Sequence, residues 1–138
     1  MSFVTFPDLV EVTLSAIAER IDIETGTRVP NPRPPTFVLA RRLGGDRLNP
    51  VLETARIVFE CWATTSADAD DLAATVRALL FSAATPGTWD AAAIGGVSIY
   101  RVEDVAGPAD EPDPLSEQPV ASFTLQFLAR GTITEESE

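Results

Sequence analysis

The sequence predicts an α+β fold in which a mostly antiparallel sheet carries two helices packed on one face. In two segments the apolar residues recur at the spacing of one helix face, and in four others the pattern is that of strands. The predicted order is helix, strand pair, helix, strand pair, without an internal repeat or an interdomain linker. A chain of 138 residues has the size of one domain. We place that domain at residues 1–131 and an acidic, flexible C-terminal tail at residues 132–138.

The first helix is predicted over residues 7–21. Pro7 suits a first helical turn, where its missing N–H would be unsatisfied in any case. Apolar residues then follow at i, i+4, i+7 and i+11, which makes one buried stripe. The members of this stripe are Val10, Leu14, Ile17 and Ile21.

A proline-rich connection follows the first helix. Residues 27–29 have the composition of a short strand, but the four prolines between residues 30 and 35 block both a helix and pairing inside a sheet. We expect extended, polyproline-like backbone at a sheet edge.

The first strand pair is predicted at residues 36–42 and 54–65, joined by a loop at residues 43–50 that contains a Gly-Gly-Asp turn signal. The second of these strands alternates most clearly and places Cys61 on its buried face. Because free cysteine is among the most often buried residue types, we interpret Cys61 as a core residue.

The second helix is predicted over residues 66–83, with Thr65 as its cap. Asp68, Asp70 and Asp71 lie near its N-terminus, where the helix dipole favours negative charge without any need for a metal ion. A turn at residues 85–90 carries Trp89.

The second strand pair is predicted at residues 97–106 and 120–130, and Gly95 and Gly96 precede it. The connection between these strands, residues 107–119, is rich in proline and acidic residues. Hairpins usually close with two to five residues, so this length predicts an extended arm. An isolated domain gains little from such an arm, whereas a subunit packed beside copies of itself gains a contact surface.

Composition narrows the classes of function. The formal net charge is −11, from 10 basic and 21 acidic residues, and histidine is absent. This charge opposes specific binding to nucleic acid, and the lack of histidine removes His-based catalysis and imidazole metal ligands. A single cysteine is too few for a thiolate zinc site. We therefore expect no enzyme activity, no catalytic residues, no cofactor and no metal.

The sequence also lacks the features of a membrane or secreted protein. No apolar run approaches the ~20 residues of a membrane span. The N-terminal residues have no basic region and no small-residue cleavage site, so we expect the chain to be made in a cytoplasm.

One basic cluster stands out in this acidic chain. Arg41, Arg42 and Arg47 bracket Gly44 and Gly45 in the predicted loop. This loop is either a solvated hairpin or a surface that contacts the acidic arm of a neighbouring copy. The second interpretation is favoured by arginine, whose guanidinium pairs bidentately with carboxylates. Such head-to-tail contacts build rings. The candidate partners in the arm are Asp110, Asp113, Leu115 and Glu117.

Three segments carry a resemblance to a known family: RPPTFVLARRLGG, ARIVFECWATTSADADDLAATVRALL and GGVSIYRVEDVAGPADEPDPLSEQPVASFTLQFLARG. Together they resemble the tail terminator proteins of long-tailed phages, most closely those of phages that infect actinobacteria. The last segment is similar to the closing hairpin of that family, an acidic Pro-Asp-Pro loop before an aromatic strand. The resemblance extends over residues 7–131.

The resemblance implies a virion protein at the junction of tail and neck. It implies a homo-oligomer, a hexameric ring that caps the tail tube, stops its polymerisation and provides the docking surface for the head connector. The implied partners are the major tail tube protein and a neck protein, and DNA passes through the lumen of the ring. An acidic lumen would repel the phosphates of DNA. The candidate lumen residues are Asp68, Asp70, Asp71, Glu103 and Asp104.

Two other interpretations are compatible with the sequence. Another neck or tail-completion protein would have a very similar sequence, because these proteins share the fold. A small-molecule or peptide-binding α+β module is the alternative from a different class. An enzyme would require a deep polar pocket with a perturbed carboxylate.

Overall fold

The computed structural model describes residues 1–82 and 97–135. Its elements, in chain order, are β1 (Ser2–Thr5), α1 (Leu9–Ile21), β2 (Glu24–Gly26), β3 (Phe37–Gly44), β4 (Arg47–Asn49), β5 (Leu52–Trp62), α2 (Ser66–Phe81), β6 (Ile99–Asp110), β7 (Val120–Arg130) and β8 (Thr132–Glu135). The predicted turn at residues 85–90 with Trp89, the Gly95-Gly96 pair, and the last residue predicted for the second helix, Ala83, lie outside the described residues.

One six-stranded sheet forms the body of the fold. Its strand order is β2-β3-β5-β7-β6, and β4 also pairs with β5. All pairings are antiparallel except that of β2 with β3. The predicted α+β class, with two helices and a mostly antiparallel sheet, is confirmed.

The central pair of strands runs without a register break. β5 and β7 are paired from Leu52 opposite Arg130 to Trp62 opposite Val120. Alternate residues of both strands point toward the helices and enter one core with residues of α1 and α2. Phe59 lies at the centre of this core, because its ring stacks on Phe123 at 5.3 Å and meets the edge of Phe127 at 6.3 Å.

Both helices begin at a capped residue. The Asp8 side chain accepts hydrogen bonds from the backbone N–H groups of Val10 and Glu11, so α1 begins at Leu9 and Pro7 lies before the cap. The carboxylate of Asp8 satisfies N–H groups that have no partner within the helix, so the helix begins directly after this residue. In α2 the predicted cap is confirmed: the Thr65 hydroxyl accepts from the N–H of Asp68 at 3.1 Å.

The four short strands, β1, β2, β4 and β8, were not predicted, and β8 lies in the segment that was predicted to be flexible. The residues 132–135, predicted as part of a flexible tail, form β8 and pair antiparallel with β1 over four residue pairs. β2 lies at Glu24–Gly26, just before the predicted strand at residues 27–29, and pairs with the start of β3. β4 occupies part of the predicted loop at residues 43–50.

Candidate functional site

The connection between β6 and β7 is shorter than the sequence predicts. β6 continues to Asp110, which pairs with Ala121 of β7, so residues 111–119 alone form the connection. Its backbone closes on itself: the N–H of Glu111 donates to the carbonyl of Val120 at 2.7 Å, and the N–H of Asp113 donates to that of Gln118 at 3.1 Å. The expected extended arm, residues 107–119, is therefore a folded hairpin end, and we call residues 111–119 the acidic hairpin tip.

The acidic hairpin tip docks on the proline-rich connection of its own chain. Arg33 donates to the hydroxyl of Ser116 at 3.0 Å and lies 3.6 Å from the carboxylate of Asp113. The side-chain amide of Gln118 donates to the carbonyl of Pro35 at 3.1 Å. Hydrogen bonds from the hydroxyl and the backbone N–H of Ser116, supported by the charge of Arg33, lower the pKa of Asp113. These contacts hold the tip in one conformation.

Leu115 projects from this ordered tip. It is 95% exposed, the most exposed of the large hydrophobic side chains that the structure describes. Glu117, two residues further on, is also exposed and has a left-handed backbone with φ of 59°. The tip therefore exposes a leucine side chain and, two residues further along the chain, a carboxylate.

The sheet face opposite the helices has a small buried cluster next to this tip. Phe37 stacks on Trp62 at 5.0 Å, and the guanidinium of Arg33 lies 5.7 Å from the centre of the Trp62 ring. Leu39 and Val120 complete the cluster. The indole N–H of Trp62 is buried and has no hydrogen-bond partner among the residues that the structure describes.

Further along the same face, which we call the helix-free face, charged side chains are exposed. Arg56 donates to the side-chain carbonyl of Gln126 at 3.1 Å, and Arg101 lies 3.0 Å from Glu103. Arg41 is also on this face, opposite Val58 of β5. The helix-free face is thus a broad surface that carries charges of both signs.

The three arginines of the predicted basic cluster point to three different places. Arg41 is exposed on the helix-free face. Arg42 pairs with Glu53 and donates from Nε to the carbonyl of Gly44 at 3.2 Å. The guanidinium of Arg47 lies 4.9 Å from the centre of the Phe6 ring. The structure therefore does not bring these arginines into one patch.

The predicted lumen acids separate into two groups. Glu103 and Asp104 are neighbours on β6 and face opposite sides of the sheet: Glu103 is on the helix-free face, and Asp104 accepts from Nε of Arg77 in α2 at 3.0 Å. Arg77 also lies over the Phe81 ring at 5.1 Å. The charge of Asp104 is therefore balanced within the chain.

The other lumen acids form an exposed corner. Asp68, Asp70 and Asp71 lie in the first two turns of α2, and Asp70 faces Asp110 at the end of β6. The pKa of Asp70 is raised, because its protonated form can donate a hydrogen bond to the Asp110 carboxylate, with smaller effects of desolvation and of the charges of Asp110 and Asp71. We call these four residues the acidic corner. The structure thus places one predicted interface residue, Asp110, beside one predicted lumen residue, Asp70.

A cleft that the sequence does not predict lies at the far end of the sheet, between β1 and β4. It has a volume of about 500 Å³. Phe3, which is 39% exposed, contributes apolar surface, and Arg47 contributes charge. We call it the end cleft, and its lining residues are Ser2, Phe3, Val4, Arg47, Asn49 and Pro50.

Cys61 is fully buried, which confirms its interpretation as a core residue. Burial, with a smaller effect of the charge on Glu60, raises the pKa of its thiol from 9.0 to about 12. We expect the thiol of the native protein to resist a thiol-specific chromogenic reagent at neutral pH and to react fully after unfolding in denaturant, as measured by absorbance. Rapid reaction of the native protein would contradict the buried position.

The same shift predicts how stability depends on pH. Below pH 9.0 the thiol is protonated in both states, and between 9.0 and about 12 only the unfolded state releases the proton. The contribution of the Cys61 thiol to native-state stability is therefore full below pH 9.0, and it decreases as the pH rises from 9.0 to about 12.

Within residues 1–82 and 97–135, no three side chains of His, Cys, Asp or Glu are grouped so that they could hold a metal ion. Neither described helix is long and apolar enough to cross a membrane. No family model matches the sequence, and the search of curated proteins finds no match.

Proposed function

We propose that this chain is a virion structural protein of a long-tailed phage, which forms a ring on the end of the tail tube. The ring stops polymerisation of the tube and provides the docking surface for the neck connector. The sequence support is the resemblance over residues 7–131, above all in the hairpin that the structure describes as β6 and β7.

The observation that carries the proposal is the different nature of the two sheet faces. The helices bury one face, and the other remains available with exposed arginine and glutamate side chains from three strands. A face of mixed charge suits contacts between subunits, where complementary charges fix register and exclude wrong partners. In this proposal, binding through surfaces is the activity, and no reactive group is involved.

The charge of the chain supports a ring through which DNA passes. A net charge of −11 gives the assembly a negative field that repels phosphates and keeps DNA from adhering. The acidic corner is our candidate for the lumen, because Asp68, Asp70 and Asp71 are exposed and, among the residues that the structure describes, no arginine pairs with them as Arg77 pairs with Asp104.

Electron microscopy of particles assembled without this protein tests the proposal. If the chain ends tail growth, we expect tails of abnormal and variable length that carry no heads, because nothing stops addition of tube subunits. The control is production of the intact chain in the same cells, which should restore normal tails.

The same images separate the alternatives. Tails of normal length without heads would identify a neck connector instead. Complete, normal particles would contradict both roles and would favour a binding module outside the virion.

A further inference from the structure

The acidic hairpin tip and the end cleft lie at opposite ends of the sheet. β5 and β7 each have eleven residues, which span about 35 Å at the usual rise of about 3.4 Å per residue. The tip follows the Trp62–Val120 end of this pair. The end cleft adjoins the other end, where the N–H of Gly131 donates to the carbonyl of Val51 at 2.8 Å. The two surfaces therefore cannot meet within one chain.

The tip has the form of a preorganised knob. A single exposed leucine is ordinary on a protein surface, but Leu115 is held on a loop fixed by Arg33, Asp113 and Ser116. A side chain presented on a fixed loop loses little conformational freedom on binding. Glu117, two residues along the same tip, is exposed and provides a carboxylate.

The end cleft has matching properties. Phe3, Val4 and Pro50 contribute apolar surface to this cleft, which is broad and open to solvent and has a volume of about 500 Å³, enough to accommodate a leucine side chain. Arg47 is positioned by the Phe6 ring and by a hydrogen bond from Nη2 to the carbonyl of Pro50 at 3.4 Å. A guanidinium has five N–H donors, so further donors remain for a carboxylate.

We propose that the acidic hairpin tip of one copy docks into the end cleft of the next copy. Leu115 enters the apolar part of the cleft, and Glu117 pairs with Arg47 of the neighbour. Complementary surfaces at opposite ends of one molecule make a head-to-tail contact, and such contacts close into rings when the rotation between copies allows it. The inference rests on the proposed ring and names one contact between its subunits, in addition to any made by the helix-free face.

Disulfide trapping between two variants tests this contact. Leu115→Cys and Ser2→Cys are made in separate full-length chains, mixed in equal amounts and oxidised mildly. We expect a linked dimer of twice the 14.8 kDa subunit mass from the mixture and little from either variant alone. The native Cys61 does not compete, because it is fully buried.

Ser15→Cys provides the matched control, since Ser15 is exposed on α1. Its mixture with Leu115→Cys should yield several-fold less linked dimer. Equal yields from both mixtures, or no linkage with Ser2→Cys, would overturn the proposal.

A charge exchange tests the ion pair. Arg47→Glu, introduced into both the Leu115→Cys and the Ser2→Cys chains, should reduce the yield of the linked dimer several-fold. Adding Glu117→Arg to both chains should restore the yield, because an arginine at position 117 then faces a glutamate at position 47 in every contact. A purely structural role of Arg47 beside Phe6 would not be rescued by a change at Glu117, and that result would overturn the ion pair.

The outcomes remain distinct from those of the particle experiment. Overlong tails in the absence of the protein, together with no Ser2–Leu115 linkage, would disprove this contact and leave the proposed function standing. Specific linkage together with normal tails in the absence of the protein would support the contact and disprove the function.

Discussion

Phe59→Ala is expected to destabilise the protein by about 3 to 5 kcal/mol, the usual cost of removing a buried aromatic ring. The Phe59 side chain is fully buried and contacts the rings of Phe123 and Phe127, so its removal opens a cavity between the central strands and the helices. Domains are typically stable by only about 5 to 15 kcal/mol, so this loss is a large fraction of the total. Denaturant unfolding followed by circular dichroism measures it.

Phe3→Ala is the matched control for this change. It removes the same atoms from a ring that is 39% exposed on β1. We expect less than half the destabilisation of Phe59→Ala, because less apolar surface returns to water. A cost for Phe59→Ala no greater than that for Phe3→Ala would contradict the packing of the core.

Gly45→Ala is expected to destabilise the protein strongly by a different mechanism. Gly45 has φ of 145°, and a Cβ atom there would lie 2.0 Å from the carbonyl oxygen of Thr54 and 2.8 Å from its carbonyl carbon. These atoms belong to the backbone of β5 and cannot move aside without disturbing the strand pairing. We expect a cost of about 1 to 3 kcal/mol from overpacking, in addition to backbone strain.

Gly44→Ala separates the two contributions. Gly44 also has a positive φ, 132°, but a Cβ atom there would have no other atom within 4 Å. The strain is then present without the clash, so this variant should be clearly more stable than Gly45→Ala in thermal unfolding. Equal melting temperatures for the two variants would show that the close approach of Gly45 to β5 is absent.

The periodic part of the fold was predictable from local sequence. The long strands and the two helices have enough residues for the two-residue and 3.6-residue periods to be clear, and the predicted face of β5 is buried as expected. β1 and β8 are too short for a period, and each depends on a partner at the other end of the chain. Pairing over such a distance leaves no local signal.

The two-residue period of strands also predicts on which face of the sheet several charged site residues lie. Arg41 and Arg42 are consecutive in a strand, as are Glu103 and Asp104, so alternation places the members of each pair on opposite faces. The docking of the acidic hairpin tip on the proline-rich connection could not have been predicted in this way. It depends on Arg33 and Pro35, and each bond joins residues 83 positions apart.

Cryo-electron microscopy of the head-proximal end of the tail in complete particles tests the central claim most directly. Our account predicts a closed ring of copies of this chain, with Leu115 of each copy in the end cleft of the next and a lumen with a net negative charge. A single copy at that position, no copy at all, or a ring with a net basic lumen would contradict it.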